Sequence, residues 1–477
     1  MTVKGGRLEF LVPHLLRGQL LRPGFVRMSL KLGVARQMPH WAKLQFIQAG
    51  VSAEDLDLVL SRVTSLESWV DEWEKLAQQH EAGARAELGL GDAPAAARRF
   101  VAASAAYNFA QYVMFIDIAR KRALHDGCVR SYAAAAPLLD PPARPFVVTF
   151  RRRSVRGWLR VPPGPRLAPV VVLFNGTNGV KEEMHWWSDA LLERGLATIT
   201  FDGPGLGETF HRLWMVAEPR PVGTAILNAI EARPELDAGA VAFLGMSLGG
   251  YIAIRMAARD ARIKAVAAVS PPYSASIYWN LTLAGMRREL AALYDIQERE
   301  MTAVIDRLTL ADVLADVRCP LMISGGGHDH ITPGSEAWHI FEDARCEREL
   351  VFYPRGAHDC FNVLADLRPR MVGWLARQLE RHRDPHAWRR PERPEGEGAW
   401  GAAEAVDPDF ADELCGDIRR LVWNRVVNPP EAAGWRWWKR RDAARIEVVH
   451  RVAAGTAEGE PDVPLTTNGH SIGAATG

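Results

Sequence analysis

The sequence of 477 residues contains few cysteines, carries almost no net charge and has no long apolar run. Its five cysteines are scattered, odd in number and without Cys-x-x-Cys spacing, which argues against a disulfide framework and a structural zinc site. A formal net charge of +1 provides no overall attraction to nucleic acid or to anionic membranes. No segment approaches the roughly 18 consecutive apolar residues that a membrane-spanning helix needs. The composition is that of an ordinary globular protein.

The N-terminal segment is basic as far as Arg36, and Glu9 is its only acidic residue. His14, Arg17 and Arg22 interrupt its apolar stretches, so it lacks the continuous apolar core of a secretory signal peptide. We therefore expect a cytoplasmic protein without an integral membrane segment. The basic segment is expected to lie over the protein surface, with peripheral membrane contact as the alternative.

The region from about Trp41 to Leu139 has a helical pattern with few internal glycines or prolines. In the stretch 65–77, Leu66, Trp69, Trp73 and Leu76 recur at steps of three and four residues, which predicts one apolar helix face. A second helix is predicted from Ala95 to Arg122 by the same spacing of its aromatic residues. We expect residues 1–140 to form a helical N-terminal cap domain. The aromatic residues of these helices that we expect to help form a substrate pocket are Trp69, Trp73, Phe100, Tyr107 and Phe115.

Short apolar strands alternate with amphipathic helices after Pro141 and Pro142. This alternation is typical of an α/β fold, with a mostly parallel, doubly wound sheet covered by helices on both faces. We expect this catalytic domain to occupy residues 141–383. The predicted strands are 146–151, 155–161, 170–174, 197–201, 241–244, 265–269, 321–324 and 349–353, and the predicted helices 181–194, 222–232, 248–258 and 361–381.

The chain changes character again at Asp384, where a linker rich in Pro, Glu and Arg begins. Residues 384–454 are expected to form a partly helical C-terminal extension, and residues 455–477 have the composition of a disordered tail. Aromatic and basic residues alternate between Gly434 and Arg441, as they do in some single-stranded nucleic-acid contacts. Tryptophans packing on the catalytic domain explain this short segment better, so no nucleic-acid partner is expected.

A serine lies between two glycines in the stretch Gly245-Met-Ser-Leu-Gly249, directly after a predicted strand and before a predicted helix. A nucleophile elbow has this context, because the strand-to-helix turn is too tight for side chains at the glycine positions. The turn lifts the hydroxyl of Ser247 above the sheet edge. It also leaves the amide of Leu248 at the helix start, where it can stabilise an oxyanion. The alternative is an ordinary glycine-rich bend.

A serine hydroxyl needs a base, and the base needs an acid that orients it. Asp329 follows strand 321–324 and His358 follows strand 349–353, so both should lie at the same sheet edge as Ser247. Asp359 is a rival acid, but a residue adjacent to the histidine usually points away from it. His328 and His330 flank Asp329 and are expected to be pocket or surface residues.

The loop after strand 170–174 should provide the second oxyanion donor, and the amide of Thr177 is the best placed. Asn178 in the same loop, and Tyr278 and Trp279 after strand 265–269, are expected to contact the substrate. The glycine-rich segment from Asp202 to Glu208 lacks the spacing of a dinucleotide-binding loop. We expect it to be a structural turn that borders the site.

Several motifs together resemble those of the α/β-hydrolases, and within them the group of the fermentation–respiration switch proteins and 2,6-dihydroxypseudooxynicotine hydrolase. The fungal hydrolases that shorten pigment polyketides are similar. The motifs are Gly176 with Lys181-Glu182-Glu183, the segments 201–208 and 245–250, and the surroundings of Asp329 and His358. The resemblance extends from about residue 41 to 381.

The resemblance implies a helical cap over the catalytic domain, a substrate bound between them and often a homodimer. Several members of the group cleave a carbon–carbon bond next to a ketone. One departure is visible: Asn280 and Thr282 are neutral where the pyridine-ketone hydrolase is expected to have an acidic residue.

We therefore expect a serine hydrolase that acts on a ketone, ester or thioester of a small or polyketide-like molecule and requires no metal or organic cofactor. The alternative keeps Ser247, His358 and Asp329 but makes the protein an acyltransferase, a cyclase or an eliminating enzyme in polyketide-type biosynthesis.

Overall fold

The structure is a computed structural model that describes most of the chain between residues 23 and 382, together with residues 448–452. The described residues are 23–38, 40–112, 117–164, 167–210, 212–213, 218–275, 279, 287–288, 291, 294, 296–329, 331–382 and 448–452.

The N-terminal region of the described chain is entirely helical. Its longer helices begin where a side chain can accept a backbone N–H of the first turn: Ser52, Ser65, Asp92 and Asp117 all occupy such N-cap positions. The helices are α1 (Pro23–Lys31), α2 (His40–Gln48), α3 (Ala53–Arg62), α4 (Leu66–Gly89), α5 (Ala93–Gln111) and α6 (Ile118–Ala135).

Aromatic side chains form the centre of this helical cap. The rings of Phe46 and Trp73 stack with centroids 5.4 Å apart, and Phe109 packs 4.3 Å from Phe46. The indole N–H of Trp69 donates to the carbonyl of Phe109 at 2.8 Å, so this polar atom is satisfied inside the cluster. These aromatic residues therefore hold the cap together.

Trp69 and Trp73 do not support the expectation that aromatic residues of the cap form the substrate pocket. Both are buried among the cap's own apolar residues. Tyr107 belongs to the same cluster, and Phe100 packs with Tyr132 in a second cluster that reaches the catalytic domain. Phe115 lies outside the described residues.

The catalytic region is built on a single sheet, in which the described residues contribute nine strands in the order β1-β2-β4-β3-β5-β6-β7-β8-β9. Pairing is parallel from β4 through β3, β5, β6 and β7 to β8, and antiparallel at both edges. The strands are β1 (Ala143–Phe150), β2 (Arg153–Arg160), β3 (Ala168–Phe174), β4 (Ala197–Phe201), β5 (Leu236–Met246), β6 (Ile263–Val269), β7 (Leu321–Gly326), β8 (Arg348–Tyr353) and β9 (Val448–Val452).

Helices cover both faces of the sheet. Successive residues of a strand point to opposite faces, and in the central strands the residues on both faces are apolar. Along β3, Val170 and Val172 belong to one buried cluster, and Val171 and Leu173 belong to the other. The first cluster includes α8 (Arg220–Glu231), α9 (Leu248–Ala257), α10 (Met301–Ile305) and α11 (Gly334–Asp343); the second includes α7 (His185–Leu192) and α12 (Leu364–Glu380). The doubly wound α/β sheet with a helical N-terminal cap confirms the expected fold class.

The elements differ from the sequence-based expectation in two places. The helix expected from Ala95 to Arg122 is two helices, because α5 ends at Gln111 and Asp117 caps the next helix. In the C-terminal extension, which is expected to be partly helical, the five described residues form β9, a strand that was not predicted and that pairs antiparallel with β8. The remainder of 384–454, including Gly434 to Arg441, and the tail 455–477 lie outside the described residues.

No helix in the described part of the chain combines the length and the apolar character needed to cross a membrane.

Replacing Trp73 by alanine should destabilise the cap by about 3–5 kcal/mol, because a fully buried indole leaves a large cavity. Urea unfolding followed by circular dichroism measures this change. The control is Leu90→Ala at a residue that is 82% exposed, where a change within about 0.5 kcal/mol is expected. Equal effects of the two substitutions would contradict the assignment of Trp73 to the cap core.

Candidate active site

Ser247 occupies a strained turn between β5 and α9. Its φ of 51° and ψ of −121° lie where few non-glycine residues are found, and its amide donates to the carbonyl of Val269 at 2.7 Å. Glycine is required on both sides. A Cβ on Gly245 would come within 2.1 Å of the Gly249 carbonyl oxygen, and one on Gly249 within 2.4 Å of the Phe174 carbonyl oxygen. The turn therefore has the geometry that the sequence motif predicts.

The side chains of Asp329 and His358 meet at the carboxyl ends of β7 and β8. The Nδ1 atom of His358 lies 3.0 Å and 2.9 Å from the two carboxylate oxygens of Asp329. The amides of Ile331 and Thr332 also donate to Asp329, at 2.8 and 2.7 Å. This arrangement fixes the orientation of the imidazole. It assigns the acid partner on Nδ1 to Asp329 and excludes Asp359 from that role.

The loop after β3 packs directly against the serine. A Cβ on Gly176 would lie 3.3 Å from the Cβ of Ser247, so only glycine leaves ordinary room at this position. The amide of Gly176 is already engaged with the side-chain oxygen of Asn175 at 2.7 Å. Thr177, the residue expected to provide an oxyanion amide, follows Gly176 in the same loop. Leu248 is the first residue of α9, where backbone N–H groups have no acceptor within the helix.

A buried ion cluster around Lys181 follows this loop in the chain. The ammonium group of Lys181 lies 2.8 Å from Glu182, 3.1 Å from Asp202 and 2.8 Å from Glu208, and its backbone amide donates to Asp202 at 2.7 Å. Burial lowers the pKa of Lys181, but the three carboxylates outweigh burial and raise it well above its usual value. The cluster thus joins the 3₁₀ turn Lys181–Met184 to the turn after β4.

Glu183 joins the cap to the oxyanion loop. Its carboxylate accepts from Gln45 at 3.1 Å, from Asn108 at 3.0 Å, from the Tyr112 hydroxyl at 3.0 Å and from Asn175 at 3.1 Å. Burial raises the pKa of Glu183, and these hydrogen bonds act in the opposite direction. Three of the donors belong to the cap and one to the loop beside Ser247. Cap docking and loop geometry therefore depend on the same carboxylate.

A small pocket lies between the cap and this loop. Its polar lining includes the amide of Gln111 and the imidazole of His125, and in both side chains one buried atom (Oε1 and Nδ1) has no hydrogen-bond partner among the described residues. Burial and the neighbouring Lys121 hold the pKa of His125 well below its usual value, so the ring is neutral near pH 7. Thr177, Asn178 and Leu206 also line this pocket.

The remaining residues expected at the site are placed as follows. Asn178 lines the pocket, and its carbonyl accepts from Gln111 at 2.9 Å. Trp279 is buried in the catalytic core, with the Arg287 guanidinium 5.7 Å from its ring centroid.

The segment after β4 borders the pocket through Gly205, Leu206 and Gly207, in agreement with the structural turn expected there. Burial lowers the pKa of His328. Tyr278, Asn280, Thr282 and His330 lie outside the described residues.

Sequence reasoning missed the polar residues that the cap contributes. Asn108 and Gln111 are three residues apart on an alanine-rich helix, and both are completely buried. Buried polar groups need partners, so this pair was a detectable signal of a polar contact with the catalytic domain. Asp359 was also misjudged: its carboxylate lies 3.5 Å from Nε2 of His358 instead of pointing away.

The sequence matches the esterase FrsA-like family over residues 44–294. The chain belongs to this family of α/β-hydrolases. The acetyl xylan esterase family matches residues 223–377. The resemblance drawn from the motifs is confirmed, and this protein is an enzyme of the hydrolase class.

Individual relatives agree with this membership. The hydrolase is 30% identical to 2,6-dihydropseudooxynicotine hydrolase of Paenarthrobacter nicotinovorans over 344 residues, or 71% of this chain and 91% of the relative. It is 31% identical to the α/β-hydrolase ucsC of an Acremonium species, which it matches over 50% of this chain and 53% of the relative. The chain thus spans about half the length of this fungal relative.

A solved structure has the same fold. The crystal structure of 2,6-dihydroxy-pseudo-oxynicotine hydrolase superposes with a TM-score of 0.66 at 29% identity, over 71% of this chain and 95% of that one.

Replacing Gly249 by alanine should separate the serine turn from the β3 loop, since the new methyl group would meet two backbone carbonyls at 2.4 and 2.5 Å. Hydrolysis of p-nitrophenyl acetate is expected to fall at least about a hundredfold, and the melting temperature should drop. The same substitution at Gly373 of α12 is the control, because its new methyl group would meet only the Arg377 side chain at 3.5 Å and alanine favours the helix. Unchanged hydrolysis by Gly249→Ala would contradict the described turn.

Proposed function

We propose that this hydrolase uses Ser247 as the nucleophile of a Ser-His-Asp triad and acts on the carbonyl group of a ketone, ester or thioester. The observation that carries the proposal is the strained serine at the carboxyl end of β5, at the same sheet edge as the Asp329–His358 pair. A histidine held by a carboxylate at Nδ1 presents Nε2 as a base. Neither a metal nor an organic cofactor is needed for this chemistry.

The mechanism follows from the positions of these groups. His358 takes the proton of Ser247 at Nε2 while the serine oxygen attacks the carbonyl carbon. Asp329 stabilises the imidazolium that forms, and the amides of Thr177 and Leu248 stabilise the oxyanion. Collapse of the tetrahedral intermediate expels the leaving group, which departs with one proton, so that His358 is neutral again when water hydrolyses the acyl-enzyme. For a ketone, the leaving group is a stabilised carbanion such as an enolate.

We infer that the polar residues beside Thr177 contact a small substrate held between the cap and the catalytic domain. Gln111 Oε1 is a hydrogen-bond acceptor, and the neutral His125 provides a donor or an acceptor. The ammonium group of Lys121 adds a positive charge to the same lining. A ketone or ester that carries hydroxyl or acidic oxygen substituents matches these groups. One relative is named as a hydrolase of a pseudooxynicotine, which agrees with a small-molecule substrate.

Replacing Ser247 by alanine should leave the fold intact and lower the rate at least about a thousandfold, because only binding and oxyanion stabilisation remain. The measurement is kcat for p-nitrophenyl acetate together with the melting temperature. Ser61→Ala on α3 is the matched control and should keep the wild-type rate. Near-wild-type turnover by Ser247→Ala would end the serine-hydrolase proposal.

A fluorophosphonate probe should attach to Ser247, since the probe reports an activated serine hydroxyl. Labelling is expected to weaken in His358→Ala, because the serine then lacks its base. Peptide mass spectrometry identifies the labelled residue. Attachment at any other serine shows that the nucleophile has been misassigned.

A further inference from the structure

Asp359 lies against the catalytic imidazole, on the side opposite to Asp329. Its Oδ2 atom is 3.5 Å from Nε2 of His358, while Asp329 contacts Nδ1. The residue is buried, and its Oδ1 atom has no hydrogen-bond partner among the described residues. A triad needs only one carboxylate, so Asp359 is a buried acid that the proposed mechanism does not use.

The backbone also holds Asp359 in an unusual conformation. The φ angles of Asp359 and Cys360 are 54° and 56°, in the left-handed region that non-glycine residues rarely adopt. The amide of Asp359 donates to the hydroxyl of Ser270 at 3.2 Å, which fixes the turn to the end of β6. Strain of this kind persists where the surrounding structure enforces it, and it clusters at active sites.

Electrostatics determine which protonation states this pair can adopt. When His358 is neutral with its proton on Nδ1, an ionised Asp359 would face the lone pair of Nε2. The favourable states therefore carry one extra proton, either on Asp359 or shared with His358 as an ion pair. The site then contains one proton more than a simple triad.

The titratable groups around Asp359 favour an extra proton on the Asp359–His358 pair. Burial raises the pKa of Asp359 to about 7, His358 opposes the shift, and Asp329 and Glu183 add to it. From the cap, Tyr112 is a neutral phenol at this pH, and Lys43 of the adjacent α2 is paired with Asp57 at 2.7 Å. The buried thiol of Cys360 is also neutral, because burial raises its pKa. The carboxyl form of Asp359 is present below about pH 7 and is lost above it.

We propose that Asp359 is a further catalytic residue, which donates the proton that the leaving group requires. This inference rests on the proposed serine-hydrolase function. On binding, the Asp359 hydroxyl donates a hydrogen bond to the leaving atom of the substrate, while Nε2 accepts the proton of Ser247. When the carbon–leaving-group bond breaks, its electron pair takes the proton of Asp359.

The protons balance over the whole cycle. After acylation Ser247 is an ester, His358 is an imidazolium and Asp359 is a carboxylate 3.5 Å from Nε2. The proton on Nε2 passes to Asp359, and His358 becomes neutral again. Water then gives a proton to His358 as its oxygen attacks the acyl carbon, and this proton returns to Ser247 when the ester bond breaks. The acid product leaves, and both residues recover their starting states.

The test is the dependence of the acylation rate on the leaving group in Asp359→Asn. Asparagine removes the acidic proton and tolerates the left-handed backbone well. With a series of aryl and alkyl acetates, the p-nitrophenyl ester should stay within about threefold of wild type, because its leaving group departs without a proton. The ester with the most basic leaving group should be slowed by about a hundredfold or more. Asp306→Asn, at an exposed carboxylate, is the control for the charge change and should follow the wild type.

Two patterns of slowing would overturn the inference. Equal slowing of all esters indicates a packing role, and no slowing of any ester indicates no role; both overturn the inference. If the fluorophosphonate probe fails to label Ser247 in the wild type, the proposed function itself is wrong. Intact labelling with no leaving-group effect rejects the role of Asp359 alone.

If Asp359→Asn does not fold, the pH dependence of the wild-type enzyme tests the inference. The rate should fall above about pH 7 only for esters with basic leaving groups, and a fall that is the same for all esters would overturn it.

Discussion

The buried carboxylate of Glu183 is the contact on which the geometry of this enzyme depends. A buried carboxylate must be satisfied by hydrogen bonds from the protein, and here Gln45, Asn108 and Tyr112 of the cap contribute together with Asn175. The same Asn175 holds the amide of Gly176 against the serine turn. Undocking the cap would leave the carboxylate short of partners and release the loop. The cap is thus part of the framework that positions the loop beside Ser247.

A second constraint is the lack of space at the carboxyl edge of the sheet. Backbone carbonyls and neighbouring glycines approach so closely around Gly245 and Gly249 that no side chain fits. Non-glycine residues with positive φ are concentrated there as well: Ser247, Ser270, Asp359 and Cys360 all follow strands at this edge. The serine turn, the Asp329–His358 pair and Asp359 therefore follow strands β5, β7 and β8 at this one edge. The core clusters on both faces of the sheet provide the stability that maintains it.

The sequence predicted well what depends on local patterns. Strand and helix periodicity gave the doubly wound sheet, and the glycines around Ser247 gave the turn, because both signals lie within a few residues. The contacts of Glu183 and Asp359 were not predictable in this way. Gln45 and Glu183 are 138 residues apart, and the direction of the Asp359 side chain depends on a left-handed backbone that nothing in the residue types requires. The packing of Trp69 and Trp73 inside the cap likewise depends on Phe46, which belongs to a different helix.

The central claim is that Ser247, His358 and the two amides form one site for an acylated intermediate. A crystal structure of the enzyme inhibited by a fluorophosphonate tests it most directly, because the phosphorus mimics the tetrahedral carbon. We expect a covalent bond to Ser247 Oγ, with one phosphoryl oxygen within hydrogen-bonding distance of the amides of Thr177 and Leu248. We also expect His358 to remain paired with Asp329. A phosphoryl oxygen that points away from both amides, or a bond to another residue, would contradict the account.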